Sequence, residues 1–240
     1  MKKIFLCLII TPVFFVSSFP QYNRNKFSFS VNGVYTTTAK IYLLPNSSDP
    51  VLRNKFTEID NIFNPSLDLR YLLTDEIIVG LSTEYMTKTT GLDKITVFAN
   101  NSTVSIPVQD GFKLIPVELT IYYLLPFSTE HFKFLMGGGG GYYFGSQIRK
   151  AGDVESSTLS RDFAYGIHVV VSMDYLVLPF LSVRAEMKFR DPEFKLTNVY
   201  SKNPGTYNGM IITLPQNQFD SRINVDGITF ILGTVFHFQI

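Results

Sequence analysis

Apolar and polar residues alternate with a period of two along most of this chain, the signature of strands with two unlike faces. In residues 26–42, Phe27, Phe29, Val31 and Tyr35 lie on one face, and Ser28, Ser30 and Asn32 on the other. Residues 61–73 set Phe63, Leu67, Leu69 and Tyr71 against Asn64, Ser66, Asp68 and Arg70. After a tight turn at Thr74-Asp75, Ile77, Val79, Leu81, Thr83 and Tyr85 oppose Gly80, Ser82 and Glu84. A fourth strand over 112–124 sets Ile115, Val117, Leu119, Ile121 and Tyr123 against Glu118, Thr120 and Tyr122, and a fifth covers 132–144. The sixth carries Phe163, Tyr165, Ile167, Val169, Val171, Met173 and Tyr175 opposite Ala164, Gly166, His168, Ser172 and Asp174. In the seventh, Val183, Ala185, Met187 and Phe189 alternate with Arg184, Glu186, Lys188 and Arg190. The eighth aligns Ile228, Phe230, Leu232, Phe236, Phe238 and Ile240.

The lengths of the connections carry a second signal. Short turns join strands two and three, four and five, and six and seven. Long polar stretches, 43–60, 88–111, 146–161 and 191–224, join the others. Strict alternation of short and long connections is the habit of bacterial outer-membrane barrels, with short periplasmic turns and long external loops. Structureless loops of this length are out of place in a compact soluble domain. Pro65 and Pro116 are expected near the outer ends of strands and Pro126 and Pro179 in turns, where a missing ladder donor is tolerated. Tyr71, Tyr123, Phe132, Tyr175 and Phe238 fall near one rim and predict an aromatic girdle at the lipid interface.

Composition narrows the choice. Met1-Lys2-Lys3, the apolar run 4–16 and Ser17-Ser18 form a basic start, a short apolar core and small residues, which is a secretory signal peptide. The run is too short for a membrane helix. Cleavage is expected after Ser18, giving a signal peptide over 1–18 and a barrel domain over 19–240. Cys7, the one cysteine, lies in the leader, so the mature chain has no disulfide framework and no thiol chemistry. The formal charge of +1 becomes −1 when Lys2 and Lys3 are removed, and no basic stripe exists to grip nucleic acid. No apolar run in the mature chain is long enough to span a bilayer as a helix. A membrane protein of this kind must close its sheet into a ring, because hydrocarbon tolerates no unpaired backbone groups. The expectation is an all-β, eight-stranded antiparallel up-and-down transmembrane β-barrel.

Three segments resemble outer-membrane barrels of the OmpW, OmpX and opacity-protein type. They are Ile115-Pro116-Val117-Glu118-Leu119-Thr120, continuing to Phe134-Leu135-Met136-Gly137 and Gly141-Tyr142-Tyr143-Phe144; Leu181 to Phe189; and the terminal strand from Gly227 to Ile240. The resemblance implies an eight-stranded barrel in a Gram-negative-type outer membrane. It further implies contact with membrane lipids and lipopolysaccharide, a monomer, and a C-terminal strand read by the barrel-assembly machinery. Members of these families usually end on an aromatic residue; here Phe236 and Phe238 keep the alternation but the last residue is Ile240.

Asp68, Arg70, Glu84, Glu118, Arg184, Glu186, Lys188 and Arg190 occupy the face opposite the apolar stripe. With the apolar face in lipid, these charges point inward. An eight-stranded barrel is about filled by its own side chains, and buried charges must pair or stay hydrated. A salt-bridge network plugging the lumen is therefore expected, with a narrow polar path for ions or a small solute as the functional alternative. His131, His168 and His237 are scattered without metal-ligand spacing, and no nucleophile motif with its base is present. No cofactor and no catalytic residue is assigned, although a triad assembled in space escapes a sequence motif. Gly137 to Gly141 lack the Lys-Ser/Thr that follows in a phosphate loop, and read as a closely packed stretch of the fifth strand.

Three functions stay open at this point. One is a structural or surface-binding outer-membrane barrel, with passage of small hydrophobic molecules through a side opening as its variant. Another is a soluble, lipocalin-like barrel with an apolar ligand inside. The third is a lipid A-modifying enzyme with clustered His, Ser and acidic groups near one rim. What separates the first two is which face of the strands is apolar.

Overall fold

The computed structural model describes residues 25–238. The expected signal peptide and Ile240 lie outside the described residues. In chain order the elements are β1 (Phe27–Tyr42), the short helix α1 (Pro50–Arg53), β2 (Phe56–Leu72), β3 (Ile77–Glu84), β4 (Met86–Ala99), β5 (Ser102–Leu124), β6 (Phe132–Ala151), β7 (Val154–Arg161), β8 (Tyr165–Leu178), β9 (Leu181–Arg190), β10 (Glu193–Tyr200), β11 (Gly205–Tyr207), β12 (Met210–Ile212), β13 (Gln218–Asn224) and β14 (Ile228–Phe238).

Eight of these strands close a ring. Antiparallel ladders run β1–β2, β2–β3, β3–β5, β5–β6, β6–β8, β8–β9, β9–β14 and β14–β1. The ring leaves no free edge, as a spanning sheet in lipid requires. Its outer surface is apolar: Leu119, Ile121, Ile167, Val169 and Leu232 are 55%, 57%, 80%, 58% and 65% exposed. The inner surface is polar, with Asp174 and Arg184 at 1% and 2%. A soluble ligand-binding barrel has the reverse arrangement, so the lipocalin-like alternative fails on this point. The expected girdle residues ring the short-turn end, where Phe27 packs on Tyr71 and Phe132 on Tyr175, each with ring centroids 4.8 Å apart. A second girdle, absent from the sequence expectation, rings the other side of the apolar band. Tyr35 packs there on Phe63 at 4.8 Å, and Tyr142 on Phe163 at 4.4 Å.

The long connections are not structureless loops. Predicted as polar stretches, they are mostly strands that carry the wall beyond the membrane band. β4 pairs with the first half of β5, β6 with β7, β7 with β10, β10 with β13, and β13 with the end of β1. The result is an upper storey on top of the spanning ring. Polar composition concealed these strands because their outward residues meet water while the inward ones stay apolar. Between β2 and β4 no strand ladder forms. That seam is bridged by Lys88 Nζ donating to the Asn61 carbonyl at 3.2 Å and by Thr57 donating to Asp93.

A local irregularity marks the boundary of the storeys. The β1–β2 register is the same on both sides of Thr37 and Asn61, from Thr36↔Ile62 to Thr38↔Asp60, but these two residues face each other outside the ladder. Asn61 has a φ of 56°, in the left-handed region that Asn tolerates. An extra residue on each strand inverts the alternation, because side chains have period two. Below the step the inward residues are Val34, Thr36, Ile62 and Asn64; above it they are Ala39, Ile41 and Ile59. Pro65 and Pro116 correct a second expectation. They lie within β2 and β5 rather than at strand ends. Pro116 is tolerated because the β3–β5 ladder stops at Val117 and the β4–β5 ladder starts at Leu114.

The glycine run lies in β6 against β5, as expected for a closely packed place. A Cβ on Gly139 would collide with the Leu119 carbonyl oxygen, and one on Gly141 would lie 2.8 Å from the Val117 carbonyl oxygen and 2.7 Å from Glu118 Cγ. Gly139→Leu is therefore expected to abolish barrel assembly, read as loss of the difference in gel mobility between unheated and boiled samples. Wild-type yield of the unheated form in that variant would refute this packing constraint.

Candidate functional site: the charged lumen and its apolar cap

The lumen site is assembled by register. Consecutive inward positions on β9 are Ser182, Arg184, Glu186, Lys188 and Arg190, and the ladders bring partners from β2, β3, β5 and β8 across the ring. Arg184 donates to both carboxylate oxygens of Asp174, at 2.7 and 2.9 Å, and to Asp68 at 3.0 Å. Arg70 donates to Asp68 at 2.8 Å and to Glu186 at 2.6 Å, and its guanidinium lies 3.8 Å from the Tyr122 ring centroid. Higher up, Arg190 binds both oxygens of Glu84 at 2.8 and 2.9 Å. Glu118 receives Lys188 at 2.7 Å, Arg190 at 3.2 Å and the Tyr143 hydroxyl at 2.8 Å.

The eight charged residues singled out from the sequence thus meet in two buried clusters, Asp68, Arg70, Arg184 and Glu186 in the lower and Glu84, Glu118, Lys188 and Arg190 in the upper. Asp174 and the Tyr122 hydroxyl belong to the lower and the Tyr143 hydroxyl to the upper, and none of the three was singled out. Their positions on the inward face of strands six, four and five were the available signal. Planar guanidinium groups suit this place because they bind carboxylates with two parallel bonds. The cavity among Asn32, Ser66, Asp68, Arg70, Glu84, Arg184, Glu186 and Lys188 measures about 10 Å³, room for about one water molecule.

His168 and His237 also point inward. Thr120 Oγ1 lies 2.8 Å from His168 Nε2, and Ser182 Oγ lies 2.7 Å from His237 Nε2. The second pair has the composition of a nucleophile and its base. Ser182 is fully buried, however, and the nearby Asp174 carboxylate is held by Arg184. No residue group among those described could hold a metal ion.

Above the network the lumen turns apolar. Ile41, Ile59, Ile62, Met86, Phe112, Leu114, Phe194 and Ile223 form one buried cluster directly over the charges. A second, containing Val97, Ile106, Val108, Val154, Tyr200 and Phe219, is covered by Ile212 and Leu214 from the β11–β12 hairpin and the residues after it. One ion pair is enclosed there. Arg149 grips Asp110 through both oxygens, at 2.9 and 3.0 Å, and reaches the Tyr200 hydroxyl at 3.1 Å. Burial pushes the Asp110 carboxyl above its ordinary value, and Arg149 opposes that shift. At the mouth, Asp153 receives Lys202 Nζ and the Thr206 amide, each at 2.6 Å, which latches the hairpin to the β6–β7 turn.

No family model and no curated protein sequence matches the chain. Solved structures do. The outer membrane protein OprG from Pseudomonas aeruginosa superposes with a TM-score of 0.60 at 15% identity, over 90% of this chain and 97% of that one. This is the eight-stranded outer-membrane β-barrel fold. Two further structures align at TM-scores of 0.47: Ail, the attachment invasion locus protein of Yersinia pestis, at 11% identity over 90% and 99% of the two chains, and the outer membrane protein AlkL, at 14% identity over 96% and 98%.

The network makes a quantitative expectation. Removing one member of a buried charge cluster strands its partners and costs about 3–5 kcal/mol. Glu118→Ala takes the close carboxylate partner from Lys188 and one of two from Arg190, and is expected to reach that range, measured by urea titration of the folded, fast-migrating form in lipid vesicles. A shift under about 1 kcal/mol would mean that the cluster is hydrated rather than paired.

Proposed function

We propose that this protein is a sealed outer-membrane barrel whose upper storey is its working part. The observation behind this reading is the contrast along the lumen axis: a charged plug with about 10 Å³ of free space, surmounted by packed apolar clusters. Neither layer offers a continuous wet path. In this reading the signal peptide over 1–18 is removed, the C-terminal strand guides assembly, and the monomer stands in the outer membrane with its long-connection end outward. In this reading the protein is not an enzyme, which is supported by the burial of Ser182, the serine bonded to His237.

The test has two parts. Cell fractionation should place the chain in the outer membrane, in a form whose gel mobility changes on boiling. Planar bilayer recording of the purified barrel should then show no sustained ion-selective current. Such currents would overturn the sealed lumen, and a soluble periplasmic protein would overturn the location.

The β2–β4 seam favours a second reading, passage of small hydrophobic molecules sideways from the upper storey into the membrane. Apolar side chains line the storey next to a seam bridged by side chains such as Lys88 and Thr57. A disulfide introduced across the seam should then abolish uptake of an apolar solute into vesicles without changing the boiled-versus-unheated mobility. Equal uptake with the seam locked would exclude that route.

A further inference from the structure

The wall of the upper storey is open at a second place. Among the described residues, 144–149 of β6 have a strand partner on one side only, β5, and 156–161 of β7 on one side only, β10. The two free edges line a polar cavity of about 580 Å³. Above it β6 and β7 meet, at Lys150↔Glu155 and Ala151↔Val154. Below it the Tyr143 amide donates to the Ala164 carbonyl at 3.0 Å, next to the Tyr142↔Tyr165 end of the β6–β8 ladder. What remains is a slot with about 20 Å of extended chain along each side.

A free edge is a template for another strand. Along a strand the amides and carbonyls turn alternately to its two neighbours, so both edges present backbone donors and acceptors to the slot. Side chains add a preference for charge. Lys113, which the β5–β6 ladder sets opposite Ser146, and Arg161 both line the slot and are exposed. Neither has a carboxylate within ion-pair distance among the described residues. Arg161 follows an irregularity in the β7–β10 register and lies opposite Leu196, on the side that faces the apolar core. The other charges are matched: Lys150 with Glu155 at 2.8 Å, and Arg149 with Asp110 at 2.9 Å. Gln147 also serves Asp110. The Ser156 hydroxyl is buried without a partner.

We infer that the slot is a docking site for an extended acidic segment of another polypeptide, which adds a strand to the free edges. Because β6 and β7 are antiparallel, the incoming strand runs antiparallel to one and parallel to the other. Its carboxylates meet Lys113 and Arg161, and short polar side chains fit over Gln147 and Thr158, which lie deeper in the slot. The ladder supplies the affinity and the cations select the sequence, since an exposed ion pair is weak by itself. A lone anion or a headgroup would neutralise the cations and leave both edges unpaired. The inference rests on the reading that the upper storey is the working part.

Binding of fluorescently labelled, end-blocked peptides to the full barrel in phosphatidylcholine vesicles tests this, read by anisotropy and by amide hydrogen exchange of the barrel. The probes are a short peptide of alternating Glu and Ser, the same peptide with N-methylated Ser amides, and one of alternating Lys and Ser. The Glu-Ser peptide should bind and slow exchange within 144–149 and 156–161. N-methylation removes ladder donors and should weaken binding by about tenfold or more, and the Lys-Ser peptide should not bind. Lys113→Gln with Arg161→Gln should weaken binding by about tenfold, whereas Lys94→Gln, on β4, should leave it unchanged. Equal binding of the methylated peptide, unchanged exchange at both edges, or no binding of the Glu-Ser peptide would overturn the inference. Displacement of the peptide by inorganic phosphate would make the slot a free-anion site, and displacement by phosphatidylglycerol in the vesicles would assign it to lipid; either overturns the strand assignment. These failures are separable from failure of the sealed-barrel reading, because each is read on a barrel that already shows heat-modifiable mobility and no sustained current.

Discussion

The constraint on which this structure depends is that hydrocarbon supplies no hydrogen bonds to a backbone. Once the chain crosses a bilayer as strands, every edge must find a partner and the sheet must close. Closure at eight strands fixes a lumen only about as wide as its side chains. The residues that alternate with the lipid-facing ones are then forced into a narrow space with little water. Charges placed there have to neutralise one another. The pairing of Arg184 with Asp174 and Asp68, and of Glu118 with Lys188 and Arg190, is the consequence.

Above the membrane the constraint relaxes and the construction changes. Water can satisfy an open strand edge, so the wall tolerates a seam between β2 and β4 and a gap between β6 and β7. Polar residues move to the outside and apolar ones to the inside, the ordinary arrangement of a soluble domain. Thr37 and Asn61, opposite each other outside the ladder, make the exchange on β1 and β2 together. The upper storey is thus a small hydrophobic core wrapped in sheet, mounted on a membrane cylinder of opposite polarity. Its openings lie between β2 and β4 and between β6 and β7, above a cylinder whose lumen charges are paired.

Much of this was legible in the chain. Each spanning strand was readable because lipid on one side and a polar lumen on the other impose strict alternation. The eight lumen charges share a face by period alone, so their common destination followed from orientation. Asp174 was on that same face and could have been included. The strands of the upper storey were less legible. Thr158, Ser160 and Arg161, or Lys195 and Thr197, read as a polar loop when nothing shows that their neighbours Val154, Phe194 and Leu196 turn inward to a shared core.

The sequence by itself determined which residues form the spanning strands and which charges share one face, because period-two patterning acts locally along each strand; that the sheet closes and that the apolar face is the outer one was settled by the ladders and the exposure of the folded ring. Only the tertiary structure decided the pairings within the lumen, the second storey, and the gap beside β7. Those depend on register between strands far apart in the chain. An irregularity such as that at Thr37 and Asn61 keeps the register yet changes which side chains face inward, without leaving a distinctive mark on composition.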